Sequence, residues 1–169
     1  REAMPIYTIF NGAMPTTAAF VKVATGTAIK TLLQLKPVNV CKIVEWGISF
    51  DGSAAAVPGV VELIDTGTVF ATVTAHVDAD IMKLDGAEGA VASIAGLTLG
   101  VAATGYTGTA EGTITAAKLF DAQLIAPTNQ YVKQFPYGYQ PKCIIGNAVR
   151  IRVTFPVSVN AIAYVVVEI

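Results

Sequence analysis

The sequence predicts an all-β fold, an antiparallel β-sandwich of jelly-roll-like character, and three observations carry that prediction. Apolar and polar residues alternate with period two in several segments, as half-buried strands require. Turn signals such as Thr25-Gly26, Asp51-Gly52-Ser53, Asp65-Thr66-Gly67 and Asp85-Gly86 recur at short intervals. Helical period is nowhere sustained beyond a single turn.

Residues 1–17 read as an extended N-terminal arm. Pro5 and Pro15 remove backbone donors and favour extended conformations. Ile6, Tyr7, Ile9 and Phe10 are nevertheless large and apolar, which a free tail does not normally carry. The arm is therefore expected to dock on a neighbouring subunit, with these four residues as candidate partner contacts. Residues 18–169 then form a single β-sandwich domain.

Its strands follow in order. Ala18–Ala24 is rich in apolar residues and ends at Thr25-Gly26; Ile29, Leu33 and Leu35 alternate with Lys30, Gln34 and Lys36 until Pro37. Val40–Phe50 places Val44, Trp46, Ile48 and Phe50 on one face and Glu45, Gly47 and Ser49 on the other. Val57–Ile64 and Thr68–Ala75 read as a hairpin joined at Asp65-Thr66-Gly67. A short helical turn is expected around Val77–Leu84, followed by a Gly/Ala-rich loop over residues 85–105. A loop this long is usually functional or disordered. Strands resume at Gly112–Ala116, Ala122–Ala126, Gln130–Phe135 and Lys142–Ile145. Ala148–Phe155 sets Val149, Ile151, Val153 and Phe155 against Arg150, Arg152 and Thr154, and Ala161–Ile169 is apolar on both faces, as a central or partner-covered strand would be.

Composition narrows the function. Charged residues make up 14% and hydrophobic ones 53%, against about 25% and 45–50% in ordinary domains. So few charges imply that some apolar surface is covered by another chain, and a homo-oligomer is expected. A net charge of −1 points to neither nucleic acid nor an anionic membrane as partner. Gly89–Ala110 is uncharged and long enough to span a bilayer, but it is rich in Gly, Ser and Thr and lacks a flanking basic cluster. No signal peptide is expected, since Pro5, Asn11, Gly12 and Pro15 stand where an apolar core should be. Arg1 is not an initiator, which leaves Met4 as a candidate native start. Cys41 and Cys143 match no metal or redox spacing and read as buried thiols, with a mutual disulfide as the lesser alternative.

Chemistry has little to stand on. The one histidine lies in His76-Val77-Asp78-Ala79-Asp80, whose alternate positions are the nearest approach to a metal site. That spacing belongs to no established ligand pattern and reads instead as a solvated turn. Glu45, Glu62 and Glu168 fall on polar faces of apolar strands, and Glu88 and Glu111 flank the Gly-rich loop as solubilising ends. Arg150 and Arg152 read as the wet face of their strand. No phosphate-binding glycine motif and no nucleophile elbow is present. No catalytic residue, metal or cofactor is expected, and the chain is read as a non-enzyme. Phe135-Pro136-Tyr137-Gly138-Tyr139-Gln140-Pro141 is an aromatic turn that reads equally as a core-sealing turn or as an interface anchor; in the second reading Tyr137 and Tyr139 are candidate partner contacts, because tyrosine supplies area at low entropic cost.

Several segments resemble a known family. Ile43-Val44-Glu45-Trp46-Gly47-Ile48-Ser49-Phe50-Asp51-Gly52, Glu111-Gly112-Thr113-Ile114-Thr115, Leu119-Phe120-Asp121-Ala122-Gln123 with Ala126-Pro127, and Arg150-Ile151-Arg152-Val153 through Val159-Asn160-Ala161-Ile162-Ala163-Tyr164 are similar to head decoration, or cement, proteins of tailed bacteriophages. The resemblance covers most of the chain from about residue 40 and leaves out the arm and the 85–105 loop. It implies a β-rich virion protein, assembled in the host cytoplasm, that clamps neighbouring major capsid protein subunits from the capsid exterior. It further implies self-association, trimers being favoured and dimers the alternative. A phage tail or fibre component is the main rival. A carbohydrate-binding β-sandwich is a third reading, and the position of Trp46 on an apolar strand face argues against it.

Overall fold

Alternating side chains and frequent turns do produce strands, and the computed structural model describes residues 4–53, 57–84 and 96–169 of the chain. Its strands are β1 (Ile6–Phe10), β2 (Val23–Ala24), β3 (Lys30–Leu35), β4 (Cys41–Phe50), β5 (Gly59–Asp65), β6 (Thr72–Ala75), β7 (Ile81–Lys83), β8 (Gly105–Ala110), β9 (Lys118–Ile125), β10 (Gln130–Gln134), β11 (Lys142–Cys143), β12 (Val149–Thr154) and β13 (Asn160–Glu168). A 3-10 turn at Asp78–Asp80 is the one helical element among the described residues.

The strands build two antiparallel sheets that pack as a sandwich. One has the order β10-β4-β13-β1-β7, with β11 also on β4 and β2 also on β13; the other has the order β6-β8-β3-β12-β5-β9. With seven and six strands, it is wider than the eight-stranded double Greek key of a simple jelly roll. The core between the sheets gathers Tyr7, Ile9, Trp46, Ile48 and Val165 from the first with Leu33, Leu63, Ile151 and Phe155 from the second.

β13 explains why a strand can be apolar on both faces. It lies between β4 and β1; Ala161, Ala163, Val165 and Val167 point into the core, and Ile162, Tyr164 and Val166 are half-buried on the outside. There Phe10 packs on Phe20 and on Tyr164, at ring separations of 5.5 and 5.6 Å. The Tyr164 ring also lies over Gly47, where a Cβ would come within 2.5 Å of the ring.

Residues 6–10 correct the N-terminal reading. They are not an arm reaching outward: β1 is paired with β13 on one side and β7 on the other. Tyr7 and Ile9 are buried in the chain's own core, while Ile6 and Phe10 are half-buried on the outer face. The large apolar residues are there because a sheet interior needs them.

Other departures have local causes. In β4, Val166 pairs with Glu45 but Val167 pairs with Ile43, so Val44 is the extra residue of a bulge. The bulge switches the phase, so that Cys41 and Ile43 point inward before it and Trp46 and Ile48 after it, while Val44 does not. β5 and β6 form no hairpin, since β5 pairs with β12 and β9 whereas β6 pairs with β8. Residues 112–116 are not a strand. Within the expected 85–105 loop, residues 85–95, with Glu88, lie outside the described residues. The remainder packs: Leu97 and Thr104 are buried, and Leu97 bridges to Pro37.

Candidate functional site

One side of the sandwich carries the candidate site. There β9 ends one sheet and β10 ends the other, and the gap between them is closed by polar groups. Asp121 of β9 is buried and accepts hydrogen bonds from Trp46 Nε1 at 3.1 Å and Tyr131 Oη at 2.8 Å. Gln123 Nε2 donates to its other oxygen at 3.2 Å, and Lys133 Nζ stands 3.7 Å away. Burial, and then the neighbouring Asp121 carboxylate, push the Tyr131 phenol up to about 12, so it stays a donor. Trp46 is fully buried with its indole nitrogen bonded, and cannot serve as a stacking platform for a sugar.

Beyond β10 the chain leaves the sheet edge and returns to it. Phe135 N donates to Val44 O at 2.8 Å, and Ile43 N donates to Pro141 O at 3.0 Å. Adjacent β4 residues therefore face the same edge, which is the local effect of the bulge at Val44. Between these two clamps Tyr139 N donates to Pro136 O at 2.9 Å, closing a β-turn with Tyr137 and Gly138 at its centre. Gly138 has φ +88°, a conformation that glycine adopts at no steric cost. Phe135 is buried as the root of the turn, and Lys133 Nζ lies 5.3 Å from its ring centre. The outcome is two large aromatic side chains, Tyr137 at 84% and Tyr139 at 80% exposure, on a backbone already fixed at both ends.

The other sequence-derived candidates fall elsewhere. His76 is not on a solvated turn; it is buried with its Nδ1 3.4 Å from Asp80 Oδ2, and its ring packs at a tilt against Tyr106, centres 4.9 Å apart. Asp80 accepts from Met14 N at 2.9 Å and Val77 N at 3.0 Å, so the carboxylate ties the loop after β1 to the 3-10 turn. Asp78 is exposed. Among the described residues no three metal-ligating side chains converge. Asp80 also walls an apolar cleft of about 320 Å³ lined by Phe10, Met14, Phe20 and Ile162, but both its oxygens are already engaged by the bonds above.

Arg150 is likewise no wet-face residue. It is fully buried, with Nη1 2.9 Å from Glu111 Oε2 and Nη2 2.6 Å from Val69 O. Glu111 also accepts from Thr31 N at 2.6 Å, so it anchors β3 and β12 rather than solubilising a loop. Burial lowers the Arg150 pKa, and Glu111 opposes that shift. Arg152 pairs with Glu62 at 2.7 Å, and Glu45 accepts from Tyr164 Oη at 2.7 Å. These are structural contacts between neighbouring strands.

Sequence reasoning named Tyr137 and Tyr139 as candidate contacts, and both side chains are exposed; it passed over Asp121, whose one visible sign was an acid inside an apolar strand. Comparison with family models, with curated proteins and with solved structures finds no match. No helix of the described residues is long and apolar enough to cross a membrane.

Proposed function

We propose that the chain is a structural virion protein that binds the outside of a tailed-phage capsid and bridges neighbouring major capsid protein subunits. The observation that supports this most is the clamped turn bearing Tyr137 and Tyr139. Two exposed tyrosines on a turn hydrogen-bonded at both ends lose little entropy on binding, and buried aromatic anchors carry much of the energy of protein interfaces. The resemblance of the β4 segment and of the Arg150–Tyr164 region to cement proteins supplies the partner class. Self-association belongs to the same reading, trimers before dimers.

The test is co-sedimentation with expanded, undecorated capsids, beside negative-stain images of the same mixture. Wild-type protein is expected to attach, and Tyr137→Ala with Tyr139→Ala to weaken attachment by about tenfold or more, as loss of anchor residues does. The thermal midpoint of that variant should stay within a few degrees of wild type. Undiminished attachment would remove the turn from the interface. Wild-type protein that ignores capsids but binds purified tails would favour the tail or fibre reading.

A further inference from the structure

Cys41 and Cys143 stand directly opposite each other where β11 pairs with β4. Opposed residues of an antiparallel pair project to the same face with Cβ atoms about 4.5–5.5 Å apart. A disulfide takes about 3.5–4.5 Å. The difference is small, and β11 is a two-residue edge strand held to the sheet by β4 alone. Both cysteines are free and buried, Cys41 completely and Cys143 with 6% exposure.

We propose that Cys41 and Cys143 are a redox modification site, closing to a cross-strand disulfide that tethers β11 to β4. The oxidant is a small disulfide such as oxidised glutathione. The Cys143 thiolate attacks one sulfur of it, forming a mixed disulfide and expelling one glutathione thiolate. The Cys41 thiolate then attacks the Cys143 sulfur and expels the second glutathione. Two electrons pass from the cysteines to the glutathione disulfide, and the two cysteine protons end on the glutathione thiols or in water. Cys143 reacts first because it is the more accessible and lies on the strand that can fray. The neighbouring Cys41 thiol and burial hold the Cys143 thiol well above its ordinary pKa, so the folded protein reacts slowly, on the scale of hours. A reducing cytoplasm keeps the pair open, and oxidising surroundings close it. The bond would fix the strand that follows the Tyr137–Tyr139 turn, but its formation does not depend on the capsid reading.

The full-length protein is incubated overnight under native conditions in glutathione buffers from fully reduced to fully oxidised. It is then acid-quenched, unfolded and alkylated with iodoacetamide. Reduced protein is expected to take up two alkyl groups; oxidised protein should take up none, weigh two hydrogens less and yield a cross-linked peptide joining Cys41 to Cys143. Its thermal midpoint should rise by about 5 °C or more, since the bond closes a long loop. Cys143→Ser and Cys41→Ser should each abolish that rise. Two alkylated thiols after full oxidation, a glutathione adduct that never closes, or a bridge that forms only in urea would each overturn the proposal. Capsid attachment is read separately, so failure of the disulfide and failure of the capsid reading are distinguishable.

Discussion

Protonating His76 places a charge where the sandwich leaves almost no water. Burial pulls its pKa below the ordinary 6.5, and the Asp80 carboxylate and the Phe10 main chain oppose that pull without reversing it. Among the described residues its Nε2 makes no hydrogen bond of good geometry, so the help from the Phe10 main chain does not offset the loss of water. The unfolded chain takes up a proton as pH falls through 6.5, and the folded chain resists until a lower pH. Stability is therefore complete above the unfolded pKa and is lost as pH falls from there toward the folded one. The thermal midpoint should drop between about pH 7 and about pH 5, and His76→Gln should flatten that slope. Parallel slopes for wild type and variant would show that other groups set the acid response. Asp80, also depressed, acts in a lower window: burial alone would raise its pKa, but bonds from Val77, Met14 and His76 outweigh it. None of this setting was legible in His76-Val77-Asp78-Ala79-Asp80, because it comes from Tyr106 and Met14, which are distant in the chain. Arg150 was misread for the same reason. An arginine at an alternate position looks solvated until Glu111, 39 residues away, is brought against it.

Among the elements, β1 has the most to lose. It is paired on both sides and contributes Tyr7 and Ile9 to the core. Each such side chain stabilises by roughly 1.5–3 kcal/mol when buried, and its loss leaves a cavity and a bare edge on β13 as well. Against a total stability of about 5–15 kcal/mol, that is a large share. Deleting residues 1–17 should abolish cooperative thermal unfolding by circular dichroism, whereas the sequence reading expected a folded remainder. A truncated chain that still melts sharply would mean that β1 is dispensable. The sequence carried the strands whose alternation is local, β4, β12 and β13 above all, because one buried face imposes period two whatever the partner. It did not carry pairing. Pro5 and Pro15 suggested an arm, yet both lie outside Ile6–Phe10 and leave that strand's donors intact. The bulge at Val44 was equally hidden, since an inserted residue changes phase without changing composition.

At the scale of the whole molecule, the scarcity of charge and the apolar side chains left exposed argue for a second copy. The accessible surface is 8151 Å², close to the roughly 7,900 Å² expected of a monomer of this mass. The chain is therefore compact by itself, and its scarcity of charge appears as apolar side chains left on the outside. Several lie on β9: Leu119 and Leu124, 58% and 75% exposed, share the outward face with Ala122. They do so because a bulge at Phe120 realigns Leu119, which pairs with Ile64 while Asp121 pairs with Leu63. This eight-residue strand ends its sheet, and soluble monomers normally blunt such an edge with charge, proline or short length. A stable interface takes about 800 Å² from each partner, roughly a tenth of this surface, which one side of the sandwich can supply. Light scattering at micromolar concentration should accordingly find particles larger than one chain. Leu119→Lys with Leu124→Lys should shift them to monomers while moving the thermal midpoint by only a few degrees, since exposed substitutions usually cost within about 0.5 kcal/mol each. A wild-type monomer would leave the uncovered apolar surface to a partner other than a second copy, the capsid under the proposed function; an assembled double variant would place the self-contact away from β9.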